Sequence, residues 1–291
     1  MVNGRIFRSL LGRTGTVPAA WVRKRSGGGL RVLLYHRVLE LPGDRMSVTP
    51  ECFREQVSLL IAKGYRVCSL EEFFFSPEPD SGTGRPSVAI TFDDGYRDWY
   101  DNAFPILREA RLPAHFFLAT NLLKKGEGIP RYRGLAPELR APLETEMLRE
   151  MTGEGMFFES HGVSHRQLAD LPLSERRREY VRSAEIIAEA CGRRPRWFAY
   201  PRGKLPPEEQ ERQELLQAGY RGAMTVRPGP NFIRAGTWAM RRTEISGDDT
   251  LRDFQTKLDG GFDCWHRIWQ AVGGEDRTAF AARARREEGS E

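Results

Sequence analysis

Between Leu30 and Leu258, apolar runs of strand length alternate with segments of helical periodicity, and this alternation constrains the fold more than any single residue. The strand-like runs are "LRVLLY", the stretch Ser87 to Phe92, "LPAHFFLA", "GMFFES", "RWFAYP", "YRGAMTV" and "WAMRRTEI". A helix is expected from Pro50, capped by Thr49, with Phe53, Val57, Leu60 and Ile61 as one stripe and Gly64 as its stop. Another is expected after a Ser174 cap, with Tyr180, Val181, Ala184, Ile187, Ala188 and Cys191 on one face and Gly192 at its end. Arg176, Arg177 and Arg178 on it read as a solvated face. Further helical patterns run from Trp99 to Ala110, up to Gly219, and around Leu251 to Leu258. Strands separated by helices in this way predict a parallel sheet or barrel with helices outside. In such folds the working residues sit on loops at the C-terminal ends of strands.

The flanks differ from this core, and the reading divides the chain into a leader (1–29), a catalytic unit (30–258) and a partly helical tail (259–291). The leader carries Arg5, Arg8, Arg13, Arg23, Lys24 and Arg25 and no acidic residue, without the apolar run of a secretory signal. Two readings stand: a flexible basic leader, or a peripheral contact of residues 1–25 with an anionic membrane, Ile6, Phe7, Leu10 and Leu11 forming its apolar side. Residues 121–143, with three glycines and three prolines, read as a long excursion loop. Its five basic residues outnumber Glu127 and Glu138, a cationic rim suited to a phosphate-bearing saccharide.

The apolar share of 40% and charged share of 29% suit a globular protein. A net charge of +5 without a helix-turn-helix, zinc-finger or RNA-binding signature predicts no nucleic-acid partner. Cys52, Cys68, Cys191 and Cys264 form no CxxC pair and read as reduced core residues in a cytoplasmic protein. No run approaches the roughly 18 apolar residues of a membrane-spanning helix.

Two segments carry chemistry. "TFDDGY" ends a strand on Asp93 and Asp94. Alone, Asp-Asp-Gly reads as a solvated turn; at the C-terminal end of a strand in an alternating fold, it stands where working residues collect. "ESHGVSH" places His161 and His165 four apart after another strand. They read either as hydrogen-bonded loop histidines or, on a helical turn, as two imidazoles pointing at one cation. Two imidazoles and one carboxylate leave open positions on a divalent ion, as catalytic sites do. One aspartate can then bind the ion while its neighbour takes a proton from water.

"TFDDGY", "SHGVSH" and "FAYPRG" together resemble the NodB-like polysaccharide deacetylases, carbohydrate esterase family 4, over Leu30 to Leu258. The resemblance implies a distorted (β/α) barrel and removal of acetyl, occasionally formyl, groups from N-acylated sugars. It implies that Asp93 is the catalytic base and that Asp94, His161 and His165 hold the metal. It assigns Tyr200, Pro201, Arg202 and Gly203 to a groove wall whose backbone helps hold the oxyanion. The arginine that orients the base in many members is replaced by Ala199, and Arg196, Arg202 or Arg241 is expected to substitute. A C-terminal Leu-x-His acid motif is absent, and His266 lacks its context. "LLYHRV" instead resembles the permuted, exopolysaccharide-processing branch, which makes His36 the general acid; His115 reads as structural.

The function expected is hydrolysis of an N-acetyl group on a lipid-linked or polymeric saccharide, at the inner face of a membrane. One divalent ion is expected, zinc first, with cobalt, nickel or iron as alternatives. Trp99, Tyr100 and Tyr132 are candidates for stacking on sugar rings. A non-catalytic saccharide-binding relic of the same fold is the alternative.

Overall fold

A computed structural model of the chain describes residues 29–76, 86–125, 130–206 and 210–263. The leader, apart from Gly29, and the tail beyond Asp263, with Cys264 and His266, lie outside the described residues.

The chain enters through β1 (Leu30–Tyr35) and a small parallel pair, β2 (Arg37–Val38) and β3 (Ser47–Val48). It continues through α1 (Pro50–Ala62), β4 (Arg66–Val67), α2 (Leu70–Phe75) and β5 (Ser87–Asp94). A π turn, Trp99–Ala103, leads into α3 (Phe104–Ala110), followed by β6 (His115–Leu118), α4 (Asn121–Lys125) and α5 (Thr145–Gly153). Then come β7 (Phe157–Ser160), α6 (Leu173–Cys191), β8 (Trp197–Ala199), α7 (Gln210–Gln217), β9 (Gly222–Met224), β10 (Thr243–Glu244) and α8 (Leu251–Leu258).

Eight strands make one parallel sheet, ordered β10-β1-β5-β6-β7-β8-β9, with β4 on the N-terminal residues of β5. Met240 pairs with Met224 of β9 just before β10 pairs with β1, so the last segment returns to the first strand. The result is a distorted (β/α) barrel. β1 and β5 are buried along their whole length, as continuous apolar strands in a parallel sheet require. Phe53, Val57 and Leu60 of α1 pack with Leu33, Ile90 and Phe92 in the layer outside the sheet. Inside it, Val32, Ala89, Phe117, Trp197 and Met224 pack together, joined by Leu70 and Phe73 of α2.

Several local expectations change. β5 runs beyond Phe92, because Asp93 and Asp94 keep their register with Phe117 and Leu118 of β6. The start of α6 is set by Pro172, whose carbonyl accepts the N–H groups of Glu175 and Arg176, and not by a Ser174 cap. Ile61 and Val181 fall off their buried stripes, with 53% and 39% of their surface exposed. Arg176 is buried against Glu211 at 3.2 Å and donates to the Leu171 carbonyl, so it belongs to no solvated face. The excursion loop contains α4 and two short 3-10 turns, and it lies against the turn after β5, where Arg97 N–H donates to the Ala141 carbonyl. "WAMRRTEI" is regular strand only at Thr243–Glu244.

Candidate active site

Successive strand residues face opposite sides of a sheet, so two adjacent aspartates should diverge. They do not, because Asp94 leaves the alternation with φ 103, followed by Gly95 at φ 122. Non-glycine residues at positive φ cost of order 1–3 kcal/mol and persist where surrounding structure holds them. Here the turn swings Asp94 onto the face already occupied by Asp93. His161 Nε2 then lies 3.8 Å from Asp93 Oδ2 and 3.9 Å from Asp94 Oδ1, and His165 Nε2 lies 3.3 Å from Asp94 Oδ1.

The two imidazoles meet through a loop, not a helical turn: Gly162 has φ 78 and His165 φ 57. One ligand atom each from Asp94, His161 and His165 lies within 4.8 Å of the others, a spacing that suits one shared cation. His161 Nδ1–H donates to the Ala199 carbonyl at 2.7 Å, which leaves the Nε2 lone pair directed at the carboxylates. Burial holds the His161 pKa down to about 4, so the ring is unprotonated at neutral pH. For Asp94, burial is overcome by the hydrogen bond and charge of His165 and by the charges of His36 and His161, which bring it down to about 2. The donor set of one carboxylate and two imidazoles fits a divalent transition metal.

Asp93 stands beside this set. Its carboxylate accepts both terminal nitrogens of Arg242, at 2.6 and 2.7 Å, and that guanidinium is fully buried. Burial pushes the carboxyl up, but the charge of Arg242, then that of His161, wins and lowers it. Arg242 is held in turn by Nε–H donation to the Thr225 carbonyl at 3.0 Å and by the Phe117 ring beneath it. The expectation of Arg196, Arg202 or Arg241 is therefore corrected to Arg242. Arg241 points away to the Pro228 carbonyl, and Arg196 and Arg202 are exposed. The signal was present in "WAMRRTEI": strand alternation puts Met240 and Arg242 on one face and Arg241 on the other.

His36 follows β1 directly. Its backbone carbonyl is fixed by the Trp99 indole N–H at 2.6 Å, and its ring is near enough to Asp93 and Asp94 for a positive charge there to lower both carboxyls. Its Nδ1 is buried without a hydrogen-bond partner among the described residues. At the end of β8, Tyr200 buries its ring in the outer layer with Phe198 and Tyr220, while Pro201–Gly203 form a tight turn. Arg202 takes φ 61, and Gly203 sits so close to Val226 that a Cβ would lie 2.4 Å from its Cγ2.

The three aromatics expected to stack on sugar are engaged within the protein. Trp99 is core. The Tyr100 hydroxyl donates to Glu150 at 2.6 Å, and Tyr132 is buried beside the Arg37 guanidinium with its hydroxyl on Asp44.

A second carboxylate–imidazole cluster, Glu71, His115 and Glu159, lies toward the N-terminal ends of the strands. Most of its lone pairs are already engaged, Glu71 Oε2 alone being buried without a hydrogen-bond partner among the described residues. Leu70 N–H donates to His115 Nε2 at 3.0 Å, Arg196 and Trp197 N–H donate to Glu159 Oε2 at 2.7 and 2.8 Å, and the Trp197 indole donates to Glu71. Burial lowers His115 to about 4 and raises Glu159 to about 8. This cluster reads as a structural plug.

Comparison with known proteins agrees with the geometry. The sequence profile of the polysaccharide deacetylase family matches residues 80–223. A poly-beta-1,6-N-acetyl-D-glucosamine N-deacetylase of Staphylococcus epidermidis is 31% identical over 211 residues, covering 69% of each chain. IcaB from Ammonifex degensii superimposes with a TM-score of 0.66 at 24% identity, covering 80% of this chain and 98% of that one. The Streptococcus pyogenes deacetylase PplD, solved with acetate, superimposes with a TM-score of 0.67 at 22% identity, covering 79% and 98%. The chain belongs to the polysaccharide deacetylase family.

Proposed function

We propose that this protein is a metal-dependent N-deacetylase of an N-acetylglucosamine-containing saccharide, with β-1,6-linked chains, free or lipid-linked, as the substrate class. The observation that carries this reading is the separation of tasks at one cleft. Asp94 converges with two imidazoles, while both oxygens of Asp93, which lies 3.8 Å from one of them, are engaged by Arg242. The similarity to a poly-beta-1,6-N-acetyl-D-glucosamine N-deacetylase supports the linkage.

Asp94, His161 and His165 would hold one divalent ion, zinc by preference. When bound, the ion supplies Lewis acidity to the amide carbonyl and activates water for attack. Asp93, kept ionised by Arg242, takes a proton from the attacking water. The Tyr200–Gly203 backbone lines the side on which the developing oxyanion is held, where preorganised donors act most strongly. His36 delivers a proton to the departing nitrogen, so acetate and a free amine leave. The intact Asp93–Arg242 pair favours turnover over a saccharide-binding relic, which has no use for an oriented base.

Residues 30–258 form the catalytic unit of this proposal, and the basic sequence of residues 1–25 supports a peripheral contact with the inner face of a membrane. No helix among the described residues is long and apolar enough to cross one. The test is acetate release from β-1,6-linked N-acetylglucosamine oligomers and from lipid-linked saccharide, with and without a chelator. Release that stops with the chelator and in Asp93→Asn supports the reading; undiminished release in Asp93→Asn refutes the assigned base.

A further inference from the structure

Glu179 lies on α6, outside the proposed ligand set, yet it grips the loop between the two imidazoles. Its Oε2 accepts the N–H groups of Val163 and Ser164 at 2.6 and 3.0 Å, and its Oε1 accepts the Ser164 hydroxyl at 2.6 Å. One turn further along the same helix face, Ser183 accepts the Ser160 hydroxyl at 2.7 Å, and Ser160 Oγ in turn accepts Gly162 N–H at 3.1 Å. The fit is close: a Cβ on Gly162 would sit 2.9 Å from Glu179 Oε2, so the carboxylate occupies room that only glycine leaves.

The two imidazoles depend on this grip unequally. His161 continues β7, its N–H bonded to the Leu118 carbonyl at 2.8 Å and its ring to the Ala199 carbonyl. His165 ends the loop at φ 57, a conformation a side chain adopts only when its surroundings impose it. The other ties on this loop run from its carbonyls at Gly162 and Val163 to the N–H groups of Thr120 and Asn121. Two of the three bonds to Glu179 reach Ser164, the residue immediately before His165.

We propose that Glu179 is a positioning residue for divalent-ion binding, fixing the 162–164 loop so that His165 Nε2 meets Asp94 Oδ1. The inference rests on the reading of Asp94, His161 and His165 as metal ligands. Glutamine at 179 keeps the size of the side chain but places an amide NH2 where one set of donors now points, so the loop loses at least one bond.

The experiment is a Co2+ titration of the metal-free full-length chain, read by visible absorption, with thermal unfolding of the metal-free protein as control. The wild type is expected to bind one Co2+ with a ligand-field spectrum. Glu179→Gln is expected to bind it about 10- to 100-fold more weakly, as loss of outer partners of metal ligands does. Its spectrum at saturation should also be altered, a change that a general loss of stability does not produce. Should Glu179→Gln fail to fold, Ser164→Ala removes a single bond and is expected to give a smaller change in the same direction. Unchanged affinity and spectrum in the folded variants overturn the inference while leaving the metal site standing. Failure of the wild type to bind Co2+ at all overturns the metal site, and the inference with it.

Discussion

Two buried clusters of carboxylates and imidazoles occupy opposite ends of this barrel, and they hold their protons differently. At the C-terminal end, Asp94 is held at about 2, Asp93 is lowered and His161 is brought to about 4. Ionised carboxylates face an unprotonated ring, which is what a cation requires. At the N-terminal end, burial raises Glu159 to about 8, so that carboxyl is mostly protonated at neutral pH; burial also raises Glu71, and His115 lies at about 4. The residue types are nearly the same. What differs is the neighbourhood: Arg242 and imidazoles around the aspartates, against backbone N–H groups that already occupy His115 Nε2 and Glu159 Oε2 in the plug. A site is made by countercharge and by free lone pairs as much as by spacing.

The widest contrast should come from substitutions within each cluster. Asp93→Asn is expected to lower acetate release by about 10²- to 10⁴-fold while the divalent ion is retained, and Asp94→Asn to lose both. His115→Gln at the other end should leave ion stoichiometry and turnover close to wild type. Metal analysis of purified protein beside an acetate assay checks all three, and loss of the ion in His115→Gln would erase the distinction.

Arg242→Ala strands a buried carboxylate. Removing one partner of such a pair costs about 3–5 kcal/mol, measurable by urea unfolding. Without Arg242 the largest opposition to the burial of Asp93 is gone, so its pKa rises and the acid limb of the pH–rate profile moves to higher pH. A limb that stays in place would separate Arg242 from the base.

The plug carries the opposite pH signature. The Glu159 pKa is raised on folding, so the folded state binds more protons than the unfolded state between the two values. Its stabilisation is full below about 4.5 and is lost as pH rises through about 8. Unfolding midpoints should therefore decline across this window in the wild type, and the decline should flatten in Glu159→Gln.

The smallest effect belongs to the excursion loop. Asp44 accepts Arg131 at 2.5 Å and the Tyr132 hydroxyl at 2.9 Å. Burial opposes its ionisation, yet the Arg131 bond and charge lower its pKa below 3.8. Its contribution is present above that value and disappears as pH falls below it. Because Arg131 is about half exposed, Asp44→Asn should cost about 1 kcal/mol or less, read as a shift in the chemical-denaturation midpoint that vanishes in acid.

Much of the barrel was legible because alternation of period and burial is written locally: β1, β6, β7 and α8 lie where their apolar runs stand. The short strand β10 was harder, since Thr243–Glu244 pairs only because the chain has travelled round to β1. The site divides in the same way. Asp93, Asp94, His161 and His165 stand in contiguous motifs, and the structure brings all four to one cleft. Arg242 and Glu179 escaped notice because their partners lie 149 and at most 16 residues away, across the sheet and across a helix–loop packing. Nothing in the local sequence of Glu179 separates it from the other charged residues of α6. The convergence of the two imidazoles was expected on a helical turn, but it depends on left-handed backbone at Gly162 and His165, which spacing alone does not encode.

The division between an ion-binding end and a plugged end is tested most directly by anomalous diffraction from crystals of the full-length protein grown with Co2+. One peak is predicted, at about 2.0–2.2 Å from a carboxylate oxygen of Asp94 and an imidazole nitrogen each of His161 and His165, with Asp93 still on Arg242. A peak among Glu71, His115 and Glu159 instead, or Asp93 drawn off Arg242 into the coordination sphere, contradicts it.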